Sequence, residues 1–323
     1  MKNPPQSPHF PDVSVIICTR NRAENLRLTL QSLLQVSIHS DMRCELIVID
    51  NASTDHTRQV VDSYDWPGVQ VRYIREPTKG LSYARNRAIS EARGGILLWT
   101  DDDVRPLSDW ITKMCRPIQT NRYDAVLGSI KIAPHLLKPW MGKEHLCWMG
   151  STEHVDPVCP DALIGANMAF SRSVLEKVPS FDVELGAGAL GFEEDTLFSN
   201  QLSTAGYKIG VAADAVVEHH FDPDRATRLG FLDRNRKAGQ SLAYTSYHWE
   251  HNVVAWPRLR LYKAQVRLMV ARLFRRRRLS CPDGVPTWEA DALSGVYFYR
   301  QYLKEHRRQF NYEKRGLVKL SRQ

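Results

Sequence analysis

Three consecutive carboxylates, Asp101-Asp102-Asp103, follow the apolar run Ile96-Leu97-Leu98-Trp99 with only Thr100 between. Carboxylate oxygens at a strand end suit a hard divalent cation of magnesium size, which takes its remaining ligands from phosphates and water. Such a cation offsets the charge that develops when a bond to a diphosphate breaks. An acidic triplet is also at home in a solvated loop or at a helix start. The buried strand before it favours the metal reading.

A second carboxylate group, Glu194-Asp195, opens a helical stretch behind the glycine-rich loop Gly186 to Gly191. Acids at a helix start are often simple dipole partners. A mobile loop that closes on a substrate would instead make Asp195 a general base for a hydroxyl acceptor. A third group is Asp50 with Asn51, Ser53 and Asp55. At a strand end these side chains suit hydrogen bonds to a base or ribose, or else an ordinary Asx turn. Lys79 and Arg85 are candidates for pairing with phosphates or for orienting Asp50. His219-His220 offers imidazoles that can complete a metal shell; the neighbouring sequence has no ligand spacing for a zinc site.

These residues need a scaffold, and the pattern supplies one. Val13 to Cys18, Glu45 to Ile49, Val69 to Ile74 and Ile96 to Trp99 read as strands. Between them lie helical stretches, one behind Asn21 as N-cap with Glu24 as its box partner, one from Asp55 to Tyr64, and one from Leu81 to Ala92 closed by Gly94-Gly95. Pro106 is expected to open a further helix around Trp110. Alternation of this kind predicts an α/β fold with a mostly parallel sheet, and ligands bind beyond the carboxyl ends of such strands. Thr19-Arg20, Asp50-Asn51 and the acidic triplet all fall at that rim. Farther on, Ala125 to Ile132 reads as a strand, Lys138 to Pro160 as irregular loop, and Arg258 to Arg278 as an amphipathic helix. On that helix Tyr262, Val266, Met269 and Leu273 share a face, with Lys263, Arg267, Arg272 and Arg275 elsewhere.

The chain has 323 residues, 43% apolar and 25% charged, with a net charge of +8. That supports a real core and excludes general disorder. There is no apolar run of eighteen residues, so no membrane span is expected. The N-terminal MKNPPQSPHFPD is not a signal peptide, and a cytosolic location is the resulting expectation. Cys18, Cys44, Cys115, Cys147, Cys159 and Cys281 form no CxxC pair and read as free thiols. The positive charge gathers in the last quarter, at Arg272 and Arg275 to Arg278. Such charge suits nucleic acid, anionic lipid or an acidic substrate and does not choose among them; taken with the amphipathic helix, a loose hold on an anionic membrane at the inner face is the expectation. Trp256 and Phe274 accompany it, but no nucleic-acid module does, so no specific nucleic-acid partner is expected.

The segments VSVIICTRNRAENLRLTLQSLL, LIVIDNASTDHT and GLSYARNRAISEARGGILLWTDDDV, followed by IGANMAFSRSVLEKVPSFD and GFEEDTLFSNQLSTAGYKI, resemble the family 2 glycosyltransferases in order and spacing. The resemblance runs from Val13 to Arg225 and implies a GT-A fold, a Rossmann-like sheet flanked by helices. It implies a nucleotide-diphospho-sugar donor, most commonly a uridine-diphosphate sugar, with inversion at the sugar and Mn2+ or Mg2+ as cofactor. By the same resemblance Thr19 and Asp50 hold the nucleotide base and Arg85 supports that pocket. Asp101 lies near the ribose and Asp103 on the metal, and His219 is placed near the diphosphate. Asp195 is the base with Glu194 beside it. Taken together, the candidate donor-site residues are Thr19, Arg20, Asp50, Ser53, Lys79, Arg85, Asp101 and Asp102. The candidate metal ligands are Asp103, Asp101 and His219. The acceptor is expected to be a glycan or a lipid-linked sugar. The domain reading is a flexible leader over 1–11 and a catalytic domain over 12–225, with a nucleotide half to 115 and an acceptor half beyond it. A basic helical extension occupies 226–323. Two other functions fit the composition: a nucleotidyltransferase, whose glycine-rich signature is absent after the first strand, and a non-catalytic protein that binds nucleic acid or membrane through the basic tail.

Overall fold

In the computed structural model the described residues are 11–156, 160, 162–275 and 284–320. Residues 1–10 of the leader, Arg276 to Arg278 of the basic run, Cys159 and Cys281 lie outside them. The first half alternates as expected: β1 (Val13–Thr19), α1 (Ala23–Leu33), β2 (Cys44–Asp50), α2 (Thr57–Asp62), β3 (Gln70–Arg75), α3 (Leu81–Glu91) and β4 (Ile96–Asp101). β1 and β2 are almost wholly buried because helices cover both faces of the sheet. Successive side chains point to opposite faces. Val13, Val15 and Ile17 join α1 and α2 in one core, and Ile16, Ile47 and Ile49 join α3 in the other.

The second half adds β5 (Val104–Pro106), α4 (Trp110–Gln119), β6 (Ala125–Ile132), α5 (Lys143–Trp148), β7 (Asn167–Ser171), α6 (Glu194–Thr204) and β8 (Ile209–His219). Among the described residues the sheet has eight strands in the order β3-β2-β1-β4-β7-β6-β8-β5. Parallel pairing holds for β1/β2, β2/β3, β1/β4 and β6/β8. β7 runs antiparallel to β4 and β6, and β5 runs antiparallel to β8. The sheet is therefore mixed beyond β4. Three long helices come next, α7 (Arg228–His248), α8 (Pro257–Arg275) and α9 (Thr287–Glu305), with α9 packed against both α7 and α8.

Local expectations needed four corrections. Asn21 is not the cap of α1; it sits at φ 51° and its side chain accepts from the Thr54 N–H. The free N–H of Ala23 donates instead to Asp55 of the β2–α2 loop, so the capping carboxylate comes from a neighbouring turn. Pro106 ends β5 and opens no helix; α4 starts four residues later. Gly94 is not a left-handed cap. It lies under β1, where an added Cβ would stand 2.4 Å from the Ser14 nitrogen. The loop from Lys138 onward holds the helix α5.

Candidate active site

Register places the polar clusters together. Thr19 pairs with Asp50 across β1/β2, and Cys18 pairs with Asp101 across β1/β4. The rim opens on a cavity of about 930 Å³ lined by Thr19, Arg20, Arg22, Asn51, Arg85, Asp101 and Asp102 on the first-half side. The opposite wall carries Trp148, Phe192 to Asp195, His219, and Arg225, Asp233, Arg234 and Lys237 at or on α7.

The acidic triplet splits into three environments. Asp101 is half-buried at the cavity wall, with no hydrogen bond to its carboxylate among the described residues. Burial and the neighbouring Asp103 charge push its pKa up. Asp102 is buried; its Oδ2 accepts from the Thr19 hydroxyl at 2.7 Å and its Oδ1 from Arg22 at 2.8 Å. Burial outweighs the Arg22 charge and raises it to about 7. Asp103 is 1% exposed and accepts from Arg22 at 2.7 Å through Oδ2. Burial works against its ionisation, yet His219 and Arg22 together hold its pKa well below the usual carboxylate range.

Asp103 Oδ1 and His219 Nε2 face each other at 3.4 Å, and neither has a hydrogen-bond partner among the described residues. The Nδ1 of His219 lies 3.1 Å from the Met149 carbonyl. Donation there leaves the lone pair of a neutral imidazole on Nε2, toward the carboxylate. Two buried lone pairs aimed at one another are relieved either by a proton on Nε2, which makes the contact an ion pair, or by a cation held beside them, and two ligands of one ion stand about this far apart when each bond is about 2.1 Å. The pair therefore fits a divalent ion. No cluster of three side-chain ligands forms among the described residues, so the rest of a shell would come from diphosphate oxygens and water. His220 is outside this arrangement and pairs with Glu218 at 2.6 Å.

The segment from 193 to 195 also divides. Glu194 is buried and forms an ion pair with Arg85 at 3.0 Å, both side chains under a tenth exposed. Burial and the adjacent Asp195 charge raise Glu194 to about 7. Asp195 is half-buried at the cavity, its Oδ2 accepting from the Gly165 N–H at 3.1 Å and its Oδ1 from its neighbour Thr196 at 2.9 Å. Gly165 lies tight against Arg85: a Cβ there would stand 1.8 Å from Nη2, so the ion-paired guanidinium would have to shift. Glu193 caps α6 in the left-handed region, at φ 75°, with its carboxylate in the cavity wall. Such a conformation is uncommon for a non-glycine residue and concentrates at functional sites. Burial first, then Asp195, raises Glu193 to about 7. Cys18 lines the cavity too, but burial pushes its thiol up to about 12, so it supplies no thiolate at neutral pH.

The structure thus brings Thr19, Arg20, Arg85, Asp101, Asp102, Glu194, Asp195 and His219 to one cavity, with Asp103 directly behind His219. Asp50, Ser53 and Lys79 do not line it. Asp50 is buried, accepting from the Ser53 N–H and the Tyr73 hydroxyl; Ser53 accepts from the Asn21 N–H; Lys79 is exposed. Sequence reading missed Arg22 and Arg234. Arg22 meets two aspartates some eighty positions away, which no local pattern announces. Arg234 lies between the rings of Trp148 and Phe192 and donates from Nε to the Trp148 carbonyl. Burial and the Arg225 charge lower it to about 10.

A mixed α/β sheet whose strand ends gather carboxylates, arginines and a facing His–Asp pair around one cleft has the architecture of a group-transfer enzyme. Residues 14–179 match the model of Glycosyl transferase family 2, and the chain belongs to that family. It is 27% identical over 237 residues to the succinoglycan biosynthesis protein ExoM of Rhizobium meliloti, covering 71% of this chain and 73% of that one. It is 25% identical over 216 residues to the glycosyltransferase AglE of Haloferax volcanii, covering 66% and 68%. Among solved structures it resembles the mannosyltransferase PcManGT from Pyrobaculum calidifontis, in complex with GDP-Man and Mn2+. The TM-score is 0.62 at 19% identity, with 92% and 88% of the two chains covered. S. aureus TarS 1-349 in complex with UDP-GlcNAc aligns with a TM-score of 0.51 at 15% identity, over 92% of each chain. The fold is GT-A, as the sequence resemblance implied, and the protein is a glycosyltransferase.

Proposed function

We propose that this chain is an inverting, metal-dependent transferase. It moves a sugar from a nucleotide-diphospho-sugar, a uridine-diphosphate sugar first among the candidates, to a hydroxyl of a glycan or lipid-linked acceptor. The observation that carries the reading is the buried Asp103–His219 pair, set in the same cleft as Asp195. In this reading residues 12–225 are the catalytic domain, with donor and acceptor halves meeting near residue 115, and the helices beyond it form a basic layer. The work takes place at the inner face of a membrane, toward which α8 presents its basic residues.

Asp103 and His219, with Asp101 beside them, would hold Mn2+ or Mg2+, which neutralises charge developing on the departing diphosphate. Thr19 and Arg20 lie where the nucleotide enters, with Asp50 and Ser53 shaping the loop behind them and Lys79 at the outer edge. Arg22 holds Asp102 and Asp103 in place. Arg85 is spent on Glu194, so its part is to fix the floor beneath Asp195. Asp195 takes the proton of the acceptor hydroxyl; the acceptor oxygen bonds to the anomeric carbon, and the bond from that carbon to the diphosphate breaks with its electron pair on the leaving oxygen. Attack opposite the leaving group inverts the configuration. Glu194 orients the segment and does not share the proton.

The test is a panel of nucleotide sugars with four different bases, mixed with the purified protein and manganese. Thermal stabilisation and slow release of free nucleoside diphosphate are read, with Asp103→Ala as control. Stabilisation for one base, dependent on metal and lost in the control, is expected. No stabilisation by any nucleotide sugar at millimolar concentration refutes the proposal.

A further inference from the structure

Helix α8 has two apolar sides. Leu261, Ala264, Leu268 and Ala271 recur at spacings of three and four, and Leu268 among them is buried. Leu259, Tyr262, Val266, Met269, Val270 and Leu273 lie roughly opposite at 100° per residue. Tyr262, Met269 and Leu273 are 64%, 56% and 68% exposed, and Trp256 and Phe274 stand out at the two ends. Five neighbouring apolar side chains facing water on one helix, Leu259, Tyr262, Met269, Val270 and Leu273, with half-buried Val266 among them, form a contiguous patch, unlike scattered surface leucines.

The helix is held in this attitude from both ends. Before its first turn, Tyr302 of α9 accepts from the Val254 N–H and donates to the Asn252 carbonyl. Near its last turn, Arg272 bonds the buried Glu289 of α9 at 2.9 Å, and Glu289 also holds Arg228 of α7 at 2.7 Å. The outward stripe takes no part in this anchoring.

The edges of the stripe are cationic. Lys263, Arg267 and Arg260 line one side and Arg258 the other, and none of the four has a carboxylate partner among the described residues. The segment Pro257 to Arg275 contains no Asp or Glu at all. A second copy laid on this stripe would bring its own arginines against these. An anionic surface complements the edges while its interior takes the stripe. No helix among the described residues is long and apolar enough to cross a membrane, so on such a surface the helix would lie in the plane.

We propose that α8 is an interfacial helix that docks the chain on an anionic bilayer. The stripe from Leu259 to Leu273 sits below the headgroups, and Arg258, Arg260, Lys263 and Arg267 sit at phosphate level. This deepens the membrane location of the proposed transferase and rests on that reading only for the acceptor's being lipid-linked. Because α9 packs against both α8 and α7, and α7 lines the catalytic cavity, docking fixes the cavity relative to the lipid surface.

Flotation of the full chain with vesicles tests this, using phosphatidylcholine alone or mixed with phosphatidylglycerol at low and high salt. The protein is expected to float with the anionic vesicles and to be released by salt. Met269→Glu with Leu273→Glu is expected to lower binding at least about tenfold. The unfolding temperature stays unchanged because those side chains touch nothing essential. Lys263→Glu with Arg267→Glu is expected to lower binding and flatten its salt dependence. Equal binding to neutral vesicles, no binding to either, or stripe variants that only turn a dimer into a monomer would each overturn the proposal. Nucleotide-sugar stabilisation is read on the same preparations. Its loss with flotation intact refutes the transfer reading alone, and the converse refutes the docking alone.

Discussion

Removing one partner of the Arg85–Glu194 pair is the sharpest perturbation of this site. The two charges stand 3.0 Å apart with each side chain under a tenth exposed. At an effective dielectric of about 20, charges about 4 Å apart attract by ~4 kcal/mol, and breaking a buried pair by removing one partner costs about 3–5 kcal/mol because the other charge is stranded. Arg85→Met and Glu194→Met should each lose about that much in urea unfolding. The double variant should lose less than either single change, since two apolar side chains of similar volume strand no charge. Activity separates the roles: Glu194→Gln keeps an oxygen for Arg85 and should retain turnover within about tenfold, whereas Asp195→Asn should lose about 10²–10⁴-fold. Sugar transfer to a hydroxyl acceptor reports both. Additive stabilities in the double variant would refute the coupling, and equal loss in Glu194→Gln and Asp195→Asn would refute the assignment of the base to Asp195.

Asp103→Ala or His219→Ala should raise the manganese concentration needed for nucleotide stabilisation at least about tenfold, since loss of even an outer partner of a metal ligand costs about 10–100-fold; thermal shift against metal concentration checks it. The Glu193 carboxyl is raised from 4.5 to about 7, so between those values the folded chain holds a proton that the unfolded chain has released. Its stabilising effect is full below pH 4.5 and is lost as pH rises through 7. Glu193→Gln should therefore gain in unfolding temperature relative to the parent on going from about pH 5 to about pH 8, and a constant difference would refute this. Asp182 accepts from Tyr244, Tyr312 and Lys319; Asp182→Asn should cost about 1–3 kcal/mol and expose the residues beyond 306 to limited proteolysis.

The first half of the fold was legible because strands buried on both faces leave nearly continuous apolar runs, and Val13 to Cys18, Leu46 to Ile49 and Ile96 to Trp99 are such runs. The acidic triplet was legible for the same reason, since it begins close to where the last of them ends. The strands beyond β4 carry a weaker signal. β8 reads Ile-Gly-Val-Ala-Ala-Asp-Ala-Val-Val-Glu-His, small residues whose strand character comes from pairing with β6 and β5. β5 is three residues long and stands only because β8 receives it. α7 carries no clean stripe because one side turns Asp233, Arg234 and Lys237 toward the cavity while Phe231, Ala243 and Tyr244 are buried in the helical layer. A helix polar on the side that lines a cavity reads as weakly amphipathic by its nature.

The C-terminal layer bears on the chemistry more directly than a basic extension suggests. Asp182 and Glu184 lie just before the glycine loop that leads to Glu194, and Lys319 from the last described residues bonds both, at 2.6 and 2.9 Å. Arg308 and Asn311 add bonds to Glu184, while the Gly316 carbonyl accepts from Gln201 of α6 and from Trp249. The tail is thus strapped across the segment that carries Asp195, and α9 packs against both α7 and α8. If α8 rests on a lipid surface, the proposed base, the cavity wall at Arg234 and the membrane contact belong to one packed body. An acceptor arriving in the plane of the lipid then meets Asp195 at a fixed height, which substitutes for the orientation a free acceptor would have to find by diffusion.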